Sequence, residues 1–155
     1  MTDERTLAEQ QLTTGVILLG RHYPRQFDTV VEEFGLSGAS AFPLAMLGRM
    51  EDGTRQGDLA RALGVEGPAL VRQLDRLCAL GLVERVEDAV DRRAKKLHLT
   101  IEGRRVASIV EAQFTRLRRR LLAGVSNEDI AAALRIFHIL EIRMGDPSDI
   151  DQPEG

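Results

Sequence analysis

Six stretches of the chain space their apolar residues by three and four, as helices do, and two short stretches read as strands. The first helical stretch runs from about Leu7 to Phe34 through Leu12, Val16, Leu19, Tyr23, Phe27 and Val30, with Pro24 inside it, where a kink or a break is expected. That stripe is too long for the partners a 155-residue chain can offer, so part of it is expected to pack on another subunit. Gly35 closes it, and Ser37 or Ser40 can cap a second helix to about Met50, with Pro43 in its first turn. Thr54 caps a short helix, Arg55 to Leu63, whose apolar face is Leu59, Ala60 and Leu63. After Gly64 comes Gly67-Pro68, the start of a helix to about Leu80 built on Leu70, Leu74 and Leu77, which Gly81 stops.

Two helices about a short turn that holds glycine form a helix-turn-helix. Leu82 to Val86 and Lys95 to Leu99 then read as strands, joined by the charged loop 87–94 into an antiparallel hairpin, a wing. Thr100 caps a helix to about Ala123 through Val106, Val110, Phe114, Leu117 and Leu121. Ser126 and Asp129 open a last helix to Met144, on which Ile130, Leu134, Phe137 and Leu140 are expected to face inward. The predicted fold is mainly α with a small β-hairpin wing. Residues 35–99 form the winged helix-turn-helix, 1–34 and 100–145 the flanking helices, and 146–155, with two prolines and four acidic residues, a disordered tail.

Composition narrows the classes. With 43% hydrophobic and 29% charged residues the chain is globular, and its longest apolar runs are far too short to span a bilayer. The N-terminus has no basic-then-apolar signal, so the cytoplasm is the expected compartment. A single cysteine, Cys78, makes no intramolecular disulfide. The net charge of −3 argues against nucleic acid until its distribution is seen: residues 54–96 carry +2 and the remainder −5. His22, His98 and His138 are isolated, and no Cys/His spacing suggests zinc. With no phosphate loop, nucleophile elbow or convergent carboxylate pair, neither metal nor cofactor nor enzymatic activity is expected.

The centre of the chain resembles the MarR (multiple antibiotic resistance regulator) family, in particular its SlyA-like branch. The resemblance rests on Gly57-Asp58-Leu59-Ala60, Leu63-Gly64-Val65-Glu66, the run from Pro68 to Leu77, Gly81-Leu82-Val83-Glu84-Arg85, Asp91-Arg92-Arg93-Ala94-Lys95, and Leu97 to Thr100. It implies a homodimer on a pseudopalindromic double-stranded DNA operator, most often as a transcriptional repressor. The helices at 1–34 and 100–145 would then be the dimerisation platform, with the Pro68–Leu80 helix in the major groove and the wing at the minor groove. A small aromatic acid or phenol would loosen DNA.

Arg72 suits a bidentate bond to guanine; the plainer alternative is a phosphate or a neighbouring carboxylate. Gln73 can reach adenine or stay solvated, and Arg76 is close by on the same helix. Pro68, Ala69 and Val71 stand where many family members carry hydroxyls, which shifts readout toward thymine methyls and DNA shape. Of Arg92 and Arg93, one would enter the minor groove, with Arg93 preferred, and the other would pair with an acid such as Asp91. Lys95 and Lys96 alternate on the strand, so at most one faces phosphate. Thr54, Arg55 and Gln56, opening a helix, suit phosphate binding. Arg21, His22, Tyr23 and Arg25, with Phe42, Met46 and Arg49, can line an effector pocket, or the aromatic residues and Met46 can be core and the arginines solvated. The arginines at 116 and 118–120 read as a solvated face. Cys78 is either a small apolar filler or a redox-sensing thiol lowered by Arg76. A winged protein-interaction module without DNA binding is the competing class.

Overall fold

A computed structural model describes residues 3–145, and the tail expected at 146–155 lies outside them. The chain divides into two compact units, residues 1–117 and 118–155.

In the first unit, α1 spans Glu4–Val31 and passes through Pro24 as one helix, where the sequence suggests a kink or break. A 3-10 turn, Glu32–Phe34, ends at Gly35 with φ 69°, a left-handed conformation that side chains with a Cβ resist. The helix α2, Gly38–Arg49, is fastened at its start: the Ser37 N–H donates to the Ser40 hydroxyl (3.0 Å) and the Gly38 N–H to Asp28 on α1 (2.6 Å). Because the helix starts at Gly38, Pro43 falls in its second turn instead of its first, where it deprives the Ala39 carbonyl of a helical donor. Pro43 is itself buried, so the position is filled for packing.

The sequence pattern predicts a helix from Arg55 capped by Thr54. Instead Thr54–Arg55 is a short strand, β1, and the helix α3 is Gln56–Leu63. Gly64 (φ 62°) turns the chain toward α4, Gly67–Ala79. The hairpin is β2, Val83–Glu87, and β3, Lys95–Leu99. The sheet order is β1-β3-β2, all antiparallel, with Thr54 opposite Leu97, Arg55 opposite Lys96, and β2 from Val83–Leu99 to Glu87–Lys95. The last long helix to enter this unit is α5, Ile101–Leu121.

The core joins α1, α2, α4, α5 and the sheet through Phe27, Leu44, Leu70, Leu74, Leu77, Leu97, Val110 and Phe114, each fully or almost fully buried. Phe27 is its hub: its ring meets Tyr23 (5.0 Å), Phe42 (4.8 Å) and Phe114 (4.4 Å) edge-on, a geometry that adds to the burial. Along the first half of α1, by contrast, Leu7, Leu12, Val16, Ile17, Leu18 and Leu19 are exposed.

In the second unit the cap expected at Ser126 forms, with the Asp129 N–H donating to its hydroxyl (3.0 Å) and the hydroxyl to the Asp129 carboxylate (2.7 Å). It opens α6, Asn127–Gly145. The inward face expected there is not buried in a single chain: Leu134 and Phe137 are exposed, Ile130 and Leu140 half-buried. The physical reason is that α6 is the one long element among the described residues of its unit, and an apolar face needs a second layer to be covered. No single helix among the described residues is long and apolar enough to cross a membrane; α1 and α2 reach that measure only as a pair bent by 80°, and the apolar residues of α2 are spent on the core.

A close approach gives a test of this packing. The Gly103 N–H donates to the Thr100 hydroxyl (2.9 Å), and a Cβ on Gly103 would collide with the Leu82 carbonyl oxygen, which is backbone and cannot swing away. Gly103→Ala is expected to cost about 3 kcal/mol, as overpacking does. Gly57→Ala, on α3 with open space around it, is expected to stabilise by ~0.5–1 kcal/mol. Urea unfolding of the two variants checks both signs.

Candidate nucleic-acid interface

The helix α4 lays Leu70, Leu74 and Leu77 on the core, so its other face must be solvent-facing. That face shows Pro68, Val71, Arg72, Asp75 and Arg76 exposed and Ala69 and Gln73 half-buried. The Arg72 side chain makes no hydrogen bond or ion pair with any other described residue. It lines a groove of about 440 Å³ with Gln73, Arg76 and the Gly35–Ser37 turn. Arg76 is committed: its guanidinium donates to the Gly35 carbonyl (3.0 Å) and ties α4 to the end of the 3-10 turn.

The wing is braced against this helix by a residue the sequence reading did not single out. Arg85 on β2 pairs with Asp75 (2.7 Å) and donates to the Val71 carbonyl (3.1 Å), while its Nε is buried without an acceptor. The loop between β2 and β3 is closed by its own backbone and carboxylates. The Asp88 N–H donates to the Ala94 carbonyl (3.0 Å), the Val90 N–H to Asp88 Oδ1 (2.9 Å), and the Arg93 N–H to Asp91 Oδ1 (3.0 Å). Arg92 and Arg93 are exposed and, like Arg72, carry no ion pair to a described residue. The expected pairing of one of them with Asp91 is thus a backbone contact only. Lys95 is held by Glu87 (3.0 Å).

The phosphate-binding helix start expected at Thr54, Arg55 and Gln56 takes another form. Thr54 lies in β1 and its hydroxyl donates to the Glu51 carbonyl (2.6 Å), not to α3. Arg55 is the N-cap residue of α3 but makes no side-chain cap bond; its guanidinium donates from Nε (3.2 Å) and Nη2 (2.8 Å) to Asp88. Gln56 is half-buried as the first residue of α3. Arg55, Arg93 and Lys95 border a second groove, about 420 Å³, between α3 and the wing.

The effector pocket expected from Arg21, His22, Tyr23, Arg25, Phe42, Met46 and Arg49 does not assemble in the single chain. Tyr23 and Phe42 are taken up by the aromatic cluster around Phe27, and Phe42 and Met46 pack against the core. Arg21, His22 and Arg25 are exposed, and Arg49 is held by Glu111 on α5 (2.5 Å). A cavity of about 530 Å³ lies instead between α2, β3 and α5, lined among others by Arg49, Leu97, Leu99, Arg104 and Glu111. At its rim Asp52 pairs with His98 (3.0 Å), and this bond, with Arg104 farther off, lowers its carboxyl below the usual range.

Cys78 is half-buried, and burial pushes its thiol up. The cation that opposes this is Arg85, not Arg76 as the sequence suggested, and it does not prevail. A raised thiol leaves less of the thiolate, the reactive form, at neutral pH.

Asp88 is buried, and its carboxyl is held below the ordinary value by the Val90 N–H first and the Arg55 guanidinium next. A carboxyl lowered in the folded state adds stability that is present above its unfolded pKa, about 3.9, and is lost as pH falls through the lowered folded value. The stability advantage of the wild type over Asp88→Asn is therefore expected to be full at pH 5 to 7 and to shrink below about pH 4. Thermal melts of the two proteins from pH 6 to pH 2 check the window.

A model described as MarR family matches residues 34–94. The solved transcriptional regulator PA3341 is 35% identical, covering 85% of this chain and 99% of its own, with a TM-score of 0.73. The DNA complex of S. aureus MepR is 23% identical over 84% of this chain and 96% of that one, with a TM-score of 0.76. The transcriptional regulator SlyA, 19% identical over 86% and 92% with a TM-score of 0.74, shares the fold, and at that identity the branch within the family is not distinguished. Carrying a three-stranded sheet around a glycine-turned helix pair, and matching a 35% identical relative along nearly that relative's whole length, the chain belongs to the MarR family.

Proposed function

We propose that the protein is a homodimeric, sequence-specific DNA-binding transcriptional regulator, a repressor released by a small aromatic or phenolic effector. One observation carries the DNA reading: three exposed guanidinium groups, Arg72 on α4 and Arg92 and Arg93 on the wing, lack partners among the described residues, while Arg55, Arg76, Arg85 and Lys95 beside them are engaged. Unpaired guanidinium at a helix and at a hairpin tip suits major- and minor-groove contact respectively. The MepR complex supports the same use of this fold, since that protein was solved with DNA bound.

Apolar exposure supports the dimer. Leu12, Val16, Ile17 and Leu19 on α1 are 41–66% exposed, and on α6 Leu134, Phe137 and Ile142 are 47–60% exposed. Faces of that kind are costly to leave in water and fit a second copy. A two-fold dimer would read two half-sites about one helical turn apart. Within each half-site Arg72 is the base-edge contact, Pro68, Ala69 and Val71 offer apolar contact to thymine methyls, and Arg93 with Arg92 reaches the minor groove. For the effector, the cavity between α2, β3 and α5 has the volume of a small-ligand site. Its two arginines are already paired with acids, so an incoming carboxylate has to compete with Glu111 or Asp52.

Selecting bound duplexes from a random pool and shifting the winner across salt concentrations tests the reading. A band that weakens steeply with salt is expected. Arg72→Ala should cost ~1–3 kcal/mol and relax preference at one base pair, whereas Arg93→Ala should weaken all sequences and lower the salt slope by about 1. No salt-sensitive band would point to a protein-interaction module. Sedimentation of Leu19→Asp and Phe137→Asp should shift the protein from dimer to monomer.

A further inference from the structure

We propose that Asp88 is a positioning residue that fixes the wing tip relative to the helix-turn-helix, so that the wing arginines and Arg72 meet one duplex together; this rests on the DNA-binding reading above. Asp88 is only 2% exposed, while residues 89–93 of the same loop, Val90 (92%) among them, are open to solvent. It makes three different attachments. Its N–H closes the mouth of the loop on Ala94, its Oδ1 holds the loop interior through Val90, and its Oδ2 takes two bonds from Arg55, 33 residues earlier.

Those two bonds reach outside the hairpin. Arg55 is at once the last residue of β1 and the N-cap of α3, and its side chain leaves that cap position unfilled to reach the wing. Lys96, opposite Arg55 in the sheet, adds its ammonium 3.9 Å from the same oxygen. A carboxylate so withdrawn from water is tenable only with such partners. The other contacts within the tip, Arg93 and Ala94 to Asp91, are local to the loop and tie it to nothing else. Without the Asp88–Arg55 link, seven loop residues would hang from the strand ends, and ordering them on DNA would consume binding energy.

The sign of the effect separates this role from plain electrostatics. If Asp88 were only a negative charge near phosphates, neutralising it would tighten binding. As a positioning residue it should do the opposite. In the full-length protein, Asp88→Asn is expected to speed amide hydrogen exchange selectively in residues 88–94 and to weaken DNA binding on the order of tenfold. The salt slope should fall, as it does when a wing contact is lost. Combined with Arg93→Ala, it should add little to the loss caused by Arg93→Ala alone. Arg55→Gln, made from the half-exposed side of the pair, should reproduce the loop exchange and carry the test if Asp88→Asn does not fold. Unchanged or tighter binding, or full additivity with Arg93→Ala, overturns the inference and leaves the DNA reading standing. A wild type without a salt-sensitive band overturns the DNA reading and this role with it, and unchanged loop exchange in both variants overturns the link itself.

Discussion

The winged unit is organised by one strand. β3 pairs with β1 on one side and β2 on the other, and these neighbours are the two ends of the helix-turn-helix: β1 runs directly into α3, and β2 follows α4. Its register therefore sets where both helices begin and end relative to the hairpin. The strand can do this because its alternate residues Leu97 and Leu99 are sunk in the core while Lys96 and His98, which alternate with them, are not. A slip of one residue would bring Lys96 and His98 inward, so the burial of two leucines specifies the pairing for the whole unit.

Upon that frame the charges sort into two classes. Arg85 braces α4 through Asp75 and Val71, Arg76 ties it to Gly35, and Arg55 ties α3 to Asp88. Each spends its fork geometry on protein acceptors, which a lysine ammonium would match poorly. Of the arginines on the helix-turn-helix and the wing, Arg72, Arg92 and Arg93 are left over, and a protein whose net charge is −3 nonetheless presents guanidinium groups along one helix and one hairpin tip. Exposed pairs elsewhere, such as Arg61 with Asp58 and Arg105 with Glu102, contribute little to stability and leave that contrast unchanged.

Much of this was legible in the sequence, because helices of twelve or more residues declare themselves by spacing and glycines mark their ends. β1 was not legible: two residues have no periodicity, and Thr54 ahead of a helix looks the same as a cap. Its partner across the sheet is more than 40 residues away in the chain, a relation that no local pattern encodes. The helix face bearing Arg72 was readable from Leu70, Leu74 and Leu77, whereas the roles of Arg85 and Asp88 depend on contacts across chain separations of 10 and 33 residues. Pro43 lies a turn deeper than expected because Ser37, not Ser40, caps α2; the inward face of α6 differs for another reason. The sequence tells which side chains are apolar but not which layer, of this chain or another, covers them.

The effector question turns on the same point. Cation and aromatic lining suits an aromatic acid, yet aromatic rings satisfy one another first: buried Phe27 lies within 5.0 Å of both Tyr23 and Phe42, and Phe114 within 5.0 Å of Phe42. The cavity that does exist is walled partly by Leu97 and Leu99, the residues that fix the register of β3. A ligand alters an equilibrium only through contacts that differ between its two states. In this fold a molecule between α2 and α5 touches the strand on which both the wing and the start of α3 are hung, so the elements it would disturb are those that hold Arg72 and Arg93 in place.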